Sequence, residues 1–209
     1  MTTGIRADSP GWLAARSGCV TASRVRDVLD VRKDGKPGAA YKRYLAEVVA
    51  ERLTGMACDH PVTWPMRRGT EQQPFACAAY EAETGNIVGP ELYFEHPTIA
   101  YSGATPDGTV EHDGLVEFKV PLSHNFVSQV LDGGIPEDHT PQLIWQLACT
   151  RRTWVDYVAF CPDIPGPAGL HIVRYQPTAE QIAEVESKVI AFLAEVEFAF
   201  KALTEGRAA

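Results

Sequence analysis

Asp107, Glu117 and Lys119 are the residues of this sequence whose types and spacing best suit a chemical reaction. Residues 115–120 alternate as a strand does, so Glu117 and Lys119 would project from one face and the residues between them from the other. The tripeptide His-Asp-Gly at 112–114 predicts a hairpin turn, because Asp-Gly tolerates positive φ. That turn would return the strand to the segment carrying Asp107. We therefore expect two carboxylates and one amine at a single place.

The chemistry that such a cluster supports is phosphodiester hydrolysis. Two carboxylates at one point repel each other, and a bound cation is the usual resolution. Oxygen donors without nearby His or Cys favour Mg²⁺ or Mn²⁺ over zinc. Such an ion polarises a phosphodiester and activates a bound water, while Lys119 would hold that water or offset charge on the phosphate. The simpler interpretation is an exposed charge pair beside an ordinary Asp-Gly turn, and spacing alone leaves both open.

The elements around this cluster predict an α+β fold with a central mixed β-sheet flanked by helices. Apolar spacing, caps and glycine stops indicate helices at residues 9–15, 21–29, 41–53, 69–84, 142–149 and 178–205. Short β-type runs indicate strands at residues 91–94, 108–111, 115–120, 154–160 and 171–175. We expect one domain over residues 1–209, with a helical part at about 1–85, a sheet core at about 86–176 and a packing helix at about 178–205.

Composition narrows the class of protein. With 45% hydrophobic and 22% charged residues, the chain can bury a core. No run approaches the roughly 18 apolar residues that cross a bilayer, and the polar N-terminus is unlike a signal peptide. The five cysteines are scattered, odd in number and without a C-x-x-C pair. This predicts reduced thiols in a cytoplasmic protein, not a disulfide or zinc framework.

Charge is distributed unevenly along the chain. The net charge is −8, yet residues 1–52 hold ten Lys and Arg against six Asp and Glu, a balance of +4. The remaining residues have a balance of −12. A basic face from the N-terminal third could meet phosphates while acidic helices face water. An unevenly charged solvated surface is the other interpretation, so composition permits DNA binding without showing it.

Five short motifs in order resemble the lambda-exonuclease-like (YqaJ-type) phage recombination nucleases, a branch of the PD-(D/E)xK superfamily. The motifs are WLAARSG and VTAS within 12–23, GTEQQPFA at 69–76, TPDG at 105–108, EFKVP at 117–121, and QLIWQ at 142–146 leading to Trp154. Each motif is short, but five in register are specific. The resemblance extends from about Trp12 to Phe160.

The resemblance implies a processive 5′→3′ exonuclease that degrades one strand of linear double-stranded DNA. The remaining 3′ single strand would serve phage-type single-strand-annealing recombination. The cofactor would be Mg²⁺, with Mn²⁺ as a substitute and one or two ions per active site. The family also implies a homotrimer ring threaded by DNA, a single-strand annealing protein as partner, and the cytoplasm of a bacterial cell, with the gene of phage or prophage origin.

The same match assigns catalytic roles. Asp107, Glu117 and the backbone carbonyl of Phe118 would bind metal. Lys119 would be the catalytic lysine, and Gln142 would orient the lysine or the water.

Other matched positions concern the DNA end, which the N-terminal part at about 1–85 would bind. Arg16 and Ser23 fall where the family holds the terminal 5′-phosphate, and Thr105 replaces a serine there. Arginine is a forked charged donor, and Ser23 lies near a predicted helix N-terminus. Without the family, Arg16 reads as a solvated arginine and Ser23 as an ordinary capping serine.

Two positions depart from the family pattern. Gln73 stands where the second motif has Glu, so it offers a carbonyl oxygen to an ion but no charge. Asn125 stands where a phosphate-binding arginine is expected, and only His124 is nearby as another donor. These departures bear on the second metal and on the phosphate site.

The tryptophans, most of the histidines and the last helix are expected to have structural and not catalytic roles. Trp145 and Trp154 are expected to be core aromatics and not base-stacking platforms. Four histidines without metal-ligand spacing are expected at the surface or in loops: His96, His112, His139 and His171. The acidic outer face of the last helix would repel DNA, so it should lie on the outside.

Three functions are compared. An exonuclease agrees with Arg16 and Ser23, because a terminal-phosphate pocket is useless to an enzyme that cuts internally. A restriction- or repair-type endonuclease on the same core is the alternative within the enzymes. A catalytically weakened DNA-binding homologue is the third, favoured by Gln73 and opposed by the retained catalytic residues.

Overall fold

Two four-stranded sheets with helices packed against them make up the described part of the chain, residues 5–7, 9–58 and 61–206 of the computed structural model. Its α-helices are α1 (Pro10–Arg16), α2 (Val25–Val28), α3 (Ala39–Thr54), α4 (Trp64–Thr84), α5 (Ser123–Asp132), α6 (Thr140–Thr150) and α7 (Ala179–Thr204). Its strands are β1 (Ile5–Arg6), β2 (Val20–Thr21), β3 (Leu92–Glu95), β4 (Ser102–Ala104), β5 (Gly108–Val110), β6 (Gly114–Lys119), β7 (Trp154–Phe160) and β8 (Leu170–Tyr175).

Both sheets are mixed, which confirms the predicted α+β class. The first has the order β1-β3-β4-β2, and the second has the order β5-β6-β7-β8. In the second sheet β6 pairs antiparallel with β5 and parallel with β7, so that Glu117 is level with Tyr157. The N-terminal part, expected to be helical, also contributes β1 and β2 to the first sheet.

Strand β6 is buried on both faces. Val116 and Phe118 pack with Ala76 and Tyr80 of α4. On the other face Leu115 packs in the cluster that contains residues of α6 and β7. This confirms the predicted alternation, and it holds the strand that carries Glu117 and Lys119 rigidly between two layers.

The helices begin and end close to where local signals place them. Gly55 and Gly85 end α3 and α4 in the left-handed conformation, at φ 68° and 72°. The Thr178 side chain caps α7, as predicted, in a capping box with Gln181. Helix α4 starts five residues before the predicted start at 69, because Thr63 provides a cap and a proline occupies its first turn.

Besides β1 and β2, helix α5 and strand β4 were not predicted. Helix α5 has a clear apolar periodicity, but its apolar residues are largely exposed, including Val127 and Leu131. Strand β4 has the sequence Ser-Gly-Ala, which lacks the β-branched and aromatic residues typical of strands. This segment forms a strand because it pairs with β2, which is distant in the sequence, and with β3 on its other side.

The hairpin between β5 and β6 is confirmed, but the predicted role of its glycine is wrong. The left-handed residue of the turn is Glu111, at φ 50°. Gly114 is already in β6, and a Cβ there would overlap the ring of Trp154. The glycine is therefore needed for close packing of β6 against β7. No helix among the described residues is long and apolar enough to cross a membrane.

Candidate active site

Glu117 is the centre of a buried hydrogen-bond network. It is 3% exposed. Its Oε1 atom accepts from Lys119 Nζ at 2.5 Å and from Gln142 Nε2 at 2.6 Å. Its Oε2 atom accepts from Gln146 Nε2 at 2.6 Å. Both carboxylate oxygens are therefore occupied by short, charge-assisted bonds that fix the orientation of the side chain.

Helix α6 supplies the two glutamines of this network. Gln142 and Gln146 are four residues apart, so they lie on one face of the helix, while Leu143 and Leu147 anchor it in the core. Gln142 was predicted to orient the lysine, and its Oε1 atom lies 3.3 Å from Lys119 Nζ. Gln146 was not predicted as a site residue. Its spacing from Gln142 was the available signal.

Asp107 joins the cluster from the other side of β6. It directly precedes β5, and its Oδ2 atom accepts from the backbone amide of Phe118 at 2.7 Å. This bond brings the two carboxylate-bearing segments together, as the hairpin predicted. The backbone carbonyl of Phe118, predicted as a metal ligand, stays a prediction.

Charges in the cluster influence one another. Burial, and next the charge of Glu117, raise the pKa of Asp107 well above its ordinary value, with Lys119 opposing the change. Burial by itself lowers the pKa of Lys119, but Glu117 and Asp107 outweigh it, so that the lysine pKa is raised. Lys119 is therefore a protonated amine that lies beside two acidic side chains.

An open cleft of about 480 Å³ gives access to this cluster. Helix α4 forms one wall, where Gln73 lines the cleft with Met66 and Thr70. Gln73 thus lies at the site, although it is uncharged and stands where the family pattern has Glu. On the opposite wall are Gln129 and His139.

The donor set suits a hard divalent cation. Asp107, Glu117 and Gln73 all line the one cleft, and their side chains carry oxygen atoms, the ligand type that Mg²⁺ and Mn²⁺ prefer. Among the residues that the structure describes, no group of three or more His, Cys, Asp or Glu forms a metal site. The cation would therefore rest on two carboxylates with neutral oxygens. The raised pKa of Asp107 reflects burial first and the charge of Glu117 next, and a bound cation would oppose both effects.

Two of the predicted phosphate-binding residues, Arg16 and Thr105, are linked through Trp12 close to Asp107. Trp12 Nε1 donates to Thr105 Oγ1 at 3.2 Å, two residues before Asp107. The Arg16 guanidinium lies 4.1 Å from the centre of the Trp12 ring. Arg16 Nε is buried and has no hydrogen-bond partner among the described residues. Burial lowers the pKa of Arg16 but leaves it charged near neutral pH.

The other predicted phosphate-binding residues lie at the surface. Ser23 is exposed in a 3-10 turn, Ala22–Arg24, and does not cap it through its side chain. His124 and Asn125 are exposed in the first turn of α5, shortly after Pro121 at the edge of the cleft. Their contact with phosphate stays a prediction.

The histidine interpretation needs correction at three positions, of which His171 is half buried in strand β8. His96 is 7% exposed, stacks on Trp145 at 5.1 Å, and lies 3.1 Å from Glu186 Oε1, so it is a core residue. His139 is half buried in the wall of the cleft. Its position just before the QLIWQ motif was the signal available for it. Trp145 and Trp154 are buried, as predicted.

This site lies in a fold that known nucleases share. The pattern of the YqaJ-like viral recombinase domain matches residues 11–153. The chain therefore belongs to the YqaJ-like viral recombinase family, which confirms the resemblance inferred from the motifs.

Solved structures agree with this assignment. The alkaline exonuclease LHK-Exo from Laribacter hongkongensis is 38% identical, with 96% of this chain and 98% of that chain aligned and a TM-score of 0.87. LHK-Exo in complex with dAMP aligns over the same shares at 38% identity and a TM-score of 0.88. A phage-related exonuclease from Haemophilus somnus is 15% identical over 89% of this chain and 96% of its own, with a TM-score of 0.71, and shares the fold. No curated protein sequence matches the chain. The chain is thus a nuclease of the alkaline-exonuclease type.

Proposed function

We propose that this protein is a divalent-metal-dependent 5′→3′ exonuclease that degrades one strand of linear double-stranded DNA and leaves a 3′ single strand. The observation that carries the proposal is the position of the Glu117 network beside Asp107 in an open cleft. The Arg16–Trp12–Thr105 contact adjoins the same segment. The acidic cluster could cleave a phosphodiester, and the Arg16 guanidinium at one end of the cluster could bind a terminal phosphate. This arrangement suits an enzyme that holds the end of a DNA strand.

Mg²⁺ is the proposed ion, with Mn²⁺ as a substitute. Asp107, Glu117 and the carbonyls of Gln73 and Phe118 would hold one or two ions. When bound, the ion would polarise the scissile phosphate and lower the pKa of a water.

The protein's own groups position the reactants. Glu117 is held by Lys119, Gln142 and Gln146, so it needs little reorganisation when substrate enters. Lys119, charged and half exposed at the end of β6, is placed to hold the attacking water or to offset charge on the phosphate. Gln142 contacts both of these residues and keeps the amine directed at the cleft.

Arg16 and Thr105 would bind the terminal 5′-phosphate, with Ser23, His124 and Asn125 nearby on the surface. Among the described residues the buried Arg16 Nε has no hydrogen-bond partner, which supports this, because buried donors are nearly always hydrogen-bonded. A related protein, LHK-Exo, has been crystallised in complex with dAMP.

Digestion of DNA of defined ends tests the proposal. With Mg²⁺, linear duplexes bearing a 5′-phosphate should lose nucleotides stepwise from the 5′ end, while closed circular DNA stays intact. Cutting of the circle would favour an endonuclease of restriction or repair type. Loss of all cleavage with binding retained would favour the weakened DNA-binding homologue, for which Gln73 is the motivating residue.

The family resemblance extends the proposal to assembly. We include a homotrimer ring around DNA and a single-strand annealing protein as partner, acting in the cytoplasm of a bacterial host. Light scattering of the purified protein at several concentrations should give three times the mass of the chain. A monomer at all concentrations would contradict the ring.

A further inference from the structure

One wall of the cleft consists of neutral polar side chains that the catalytic cluster does not use. Tyr157 follows Glu117 across the parallel pair β6–β7, so it lies on the opposite side of β6 from Asp107. Its hydroxyl lies 2.8 Å from His139 Nδ1 and donates to Gln129 Oε1 at 3.5 Å. All three residues line the cleft. They are called the neutral wall below.

The neutral wall has unused hydrogen-bonding capacity. Gln129 is 9% exposed, and its Nε2 atom is buried without a partner among the described residues. Buried amide groups are nearly always hydrogen-bonded, so an unpartnered one beside a cleft indicates a ligand or an ordered water. His139 uses Nδ1 toward Tyr157, while its Nε2 atom lies 4.0 Å from Asp138 Oδ1, beyond hydrogen-bond distance.

The wall differs from the rest of the site in charge. Burial, and next the charge of Lys119, lower the pKa of His139, which keeps its imidazole neutral near pH 7. A phosphate group would gain more from Lys119 or Arg16 than from this wall. Uncharged oxygens of a sugar are better matched to it.

The location of the neutral wall relative to the proposed phosphate site indicates which sugar would bind to it. Thr105 and Asp107 lie on the β5 side of β6, where the proposed terminal phosphate enters, and the neutral wall lies on the β7 side. A strand held by its 5′ end would pass the Glu117 network and then reach this wall. We propose that Gln129 and His139, aligned by Tyr157, bind the deoxyribose of the nucleotide on the 3′ side of the scissile phosphate. This rests on the proposed 5′→3′ exonuclease function.

Modified substrates test the proposal. In 5′-phosphorylated duplexes, the second nucleotide is replaced either by a tetrahydrofuran abasic unit, which keeps the sugar ring, or by a propanediol spacer, which removes it. Single-turnover release of the first nucleotide by the unaltered protein should be nearly normal with the abasic unit. It should be about a hundredfold slower with the spacer, because the hydrogen bonds from both Gln129 and His139 are lost and each is worth about tenfold.

Protein variants combined with these substrates form a thermodynamic cycle that measures the coupling between each side chain and the sugar. Gln129→Met, which keeps the volume, and His139→Ala should each slow ordinary DNA and the abasic substrate about tenfold. With the spacer at the second nucleotide they should cause no further loss. With the spacer at the terminal nucleotide, the slowing caused by the spacer and the slowing caused by the variant should multiply, because the two changes affect different contacts.

Controls separate binding from a structural role. Ser128→Ala on the same helix and His112→Ala in the hairpin turn replace exposed residues outside the wall and should stay within about twofold of the unaltered protein. Melting curves check folding, and Tyr157→Phe serves if either wall variant melts early. Two results would overturn the proposal. One is that a wall variant slows the substrate with the spacer at the second nucleotide as much as it slows ordinary DNA. The other is that this spacer does not slow the unaltered protein. Failure of the exonuclease proposal itself would be visible first, as absence of stepwise release from ordinary 5′-phosphorylated DNA.

Discussion

The Glu117 network and the Arg16 contact differ in how complete they are without substrate. Every carboxylate oxygen of Glu117 already has a donor, and its strand is packed on both faces. Arg16 contacts an aromatic ring, and its buried Nε atom has no hydrogen-bond partner within the part of the chain that the structure describes. The Glu117 network is thus already hydrogen-bonded without substrate, whereas we propose that a ligand completes the Arg16 contact. Changes in the first should therefore affect the rate on all substrates, and changes in the second should depend on the DNA end.

The largest expected effect comes from the cluster itself. Glu117→Gln and Lys119→Ala should each reduce single-turnover cleavage by at least about a thousandfold, because each removes a charge that acts on the reacting phosphate. The loss should be equal for phosphorylated and hydroxyl 5′ ends. Glu184→Gln, at an exposed position of α7, is the matched control. Activity that survives either change would remove these residues from the catalytic site.

Gln146 tests preorganisation directly. Gln146→Leu keeps the bulk of this fully buried side chain but leaves Glu117 Oε2 without its donor. We expect kcat to fall about 10–100-fold with little change in KM, and the free energy of unfolding to fall by about 1–3 kcal/mol. Gln146→Glu should be worse near neutral pH, since it places a second carboxylate against the first. Urea unfolding together with steady-state kinetics measures both effects, and an unchanged kcat would mean that Gln146 only fills the core.

Arg16 should show the opposite dependence on substrate. Arg16→Ala should slow degradation of 5′-phosphorylated duplexes about tenfold or more, because a charged hydrogen bond to the end is lost. Duplexes with a 5′-hydroxyl should change little. Lys188→Ala on α7 removes an exposed charge away from the site as a control. Equal losses on both ends would contradict the phosphate-binding role.

The smallest effect is expected at Gln73. Gln73→Glu adds a carboxylate to the α4 wall of the cleft, so the Mg²⁺ concentration for half-maximal rate should fall several-fold. The maximal rate should change less. A magnesium titration measures this, and an identical curve would show that Gln73 does not contact the ion.

Local patterns were sufficient for much of this protein. Strand alternation placed Glu117 and Lys119 on one face of β6, and glycine stops and a capping threonine located the ends of three helices. These features depend on neighbours a few residues apart, so they can be inferred from the sequence. The five ordered motifs also indicated the family, which the comparisons confirmed.

Contacts between distant segments required the tertiary structure. β4 exists because two other strands pair with it, and Gly114 is required because Trp154 lies against it. Gln146 acts on an oxygen atom 29 positions away in sequence. His139 belongs to the cleft because Tyr157, on a neighbouring strand, binds it.

The sequence by itself thus determined the residues capable of chemistry, the class of fold and the family. Only the tertiary structure decided which groups surround Glu117, that Gln73 lines the cleft, and that Arg16 is linked through Trp12 to Thr105. The physical reason is that side-chain periodicity is local, whereas a buried carboxylate and an open cleft depend on which segments pack together.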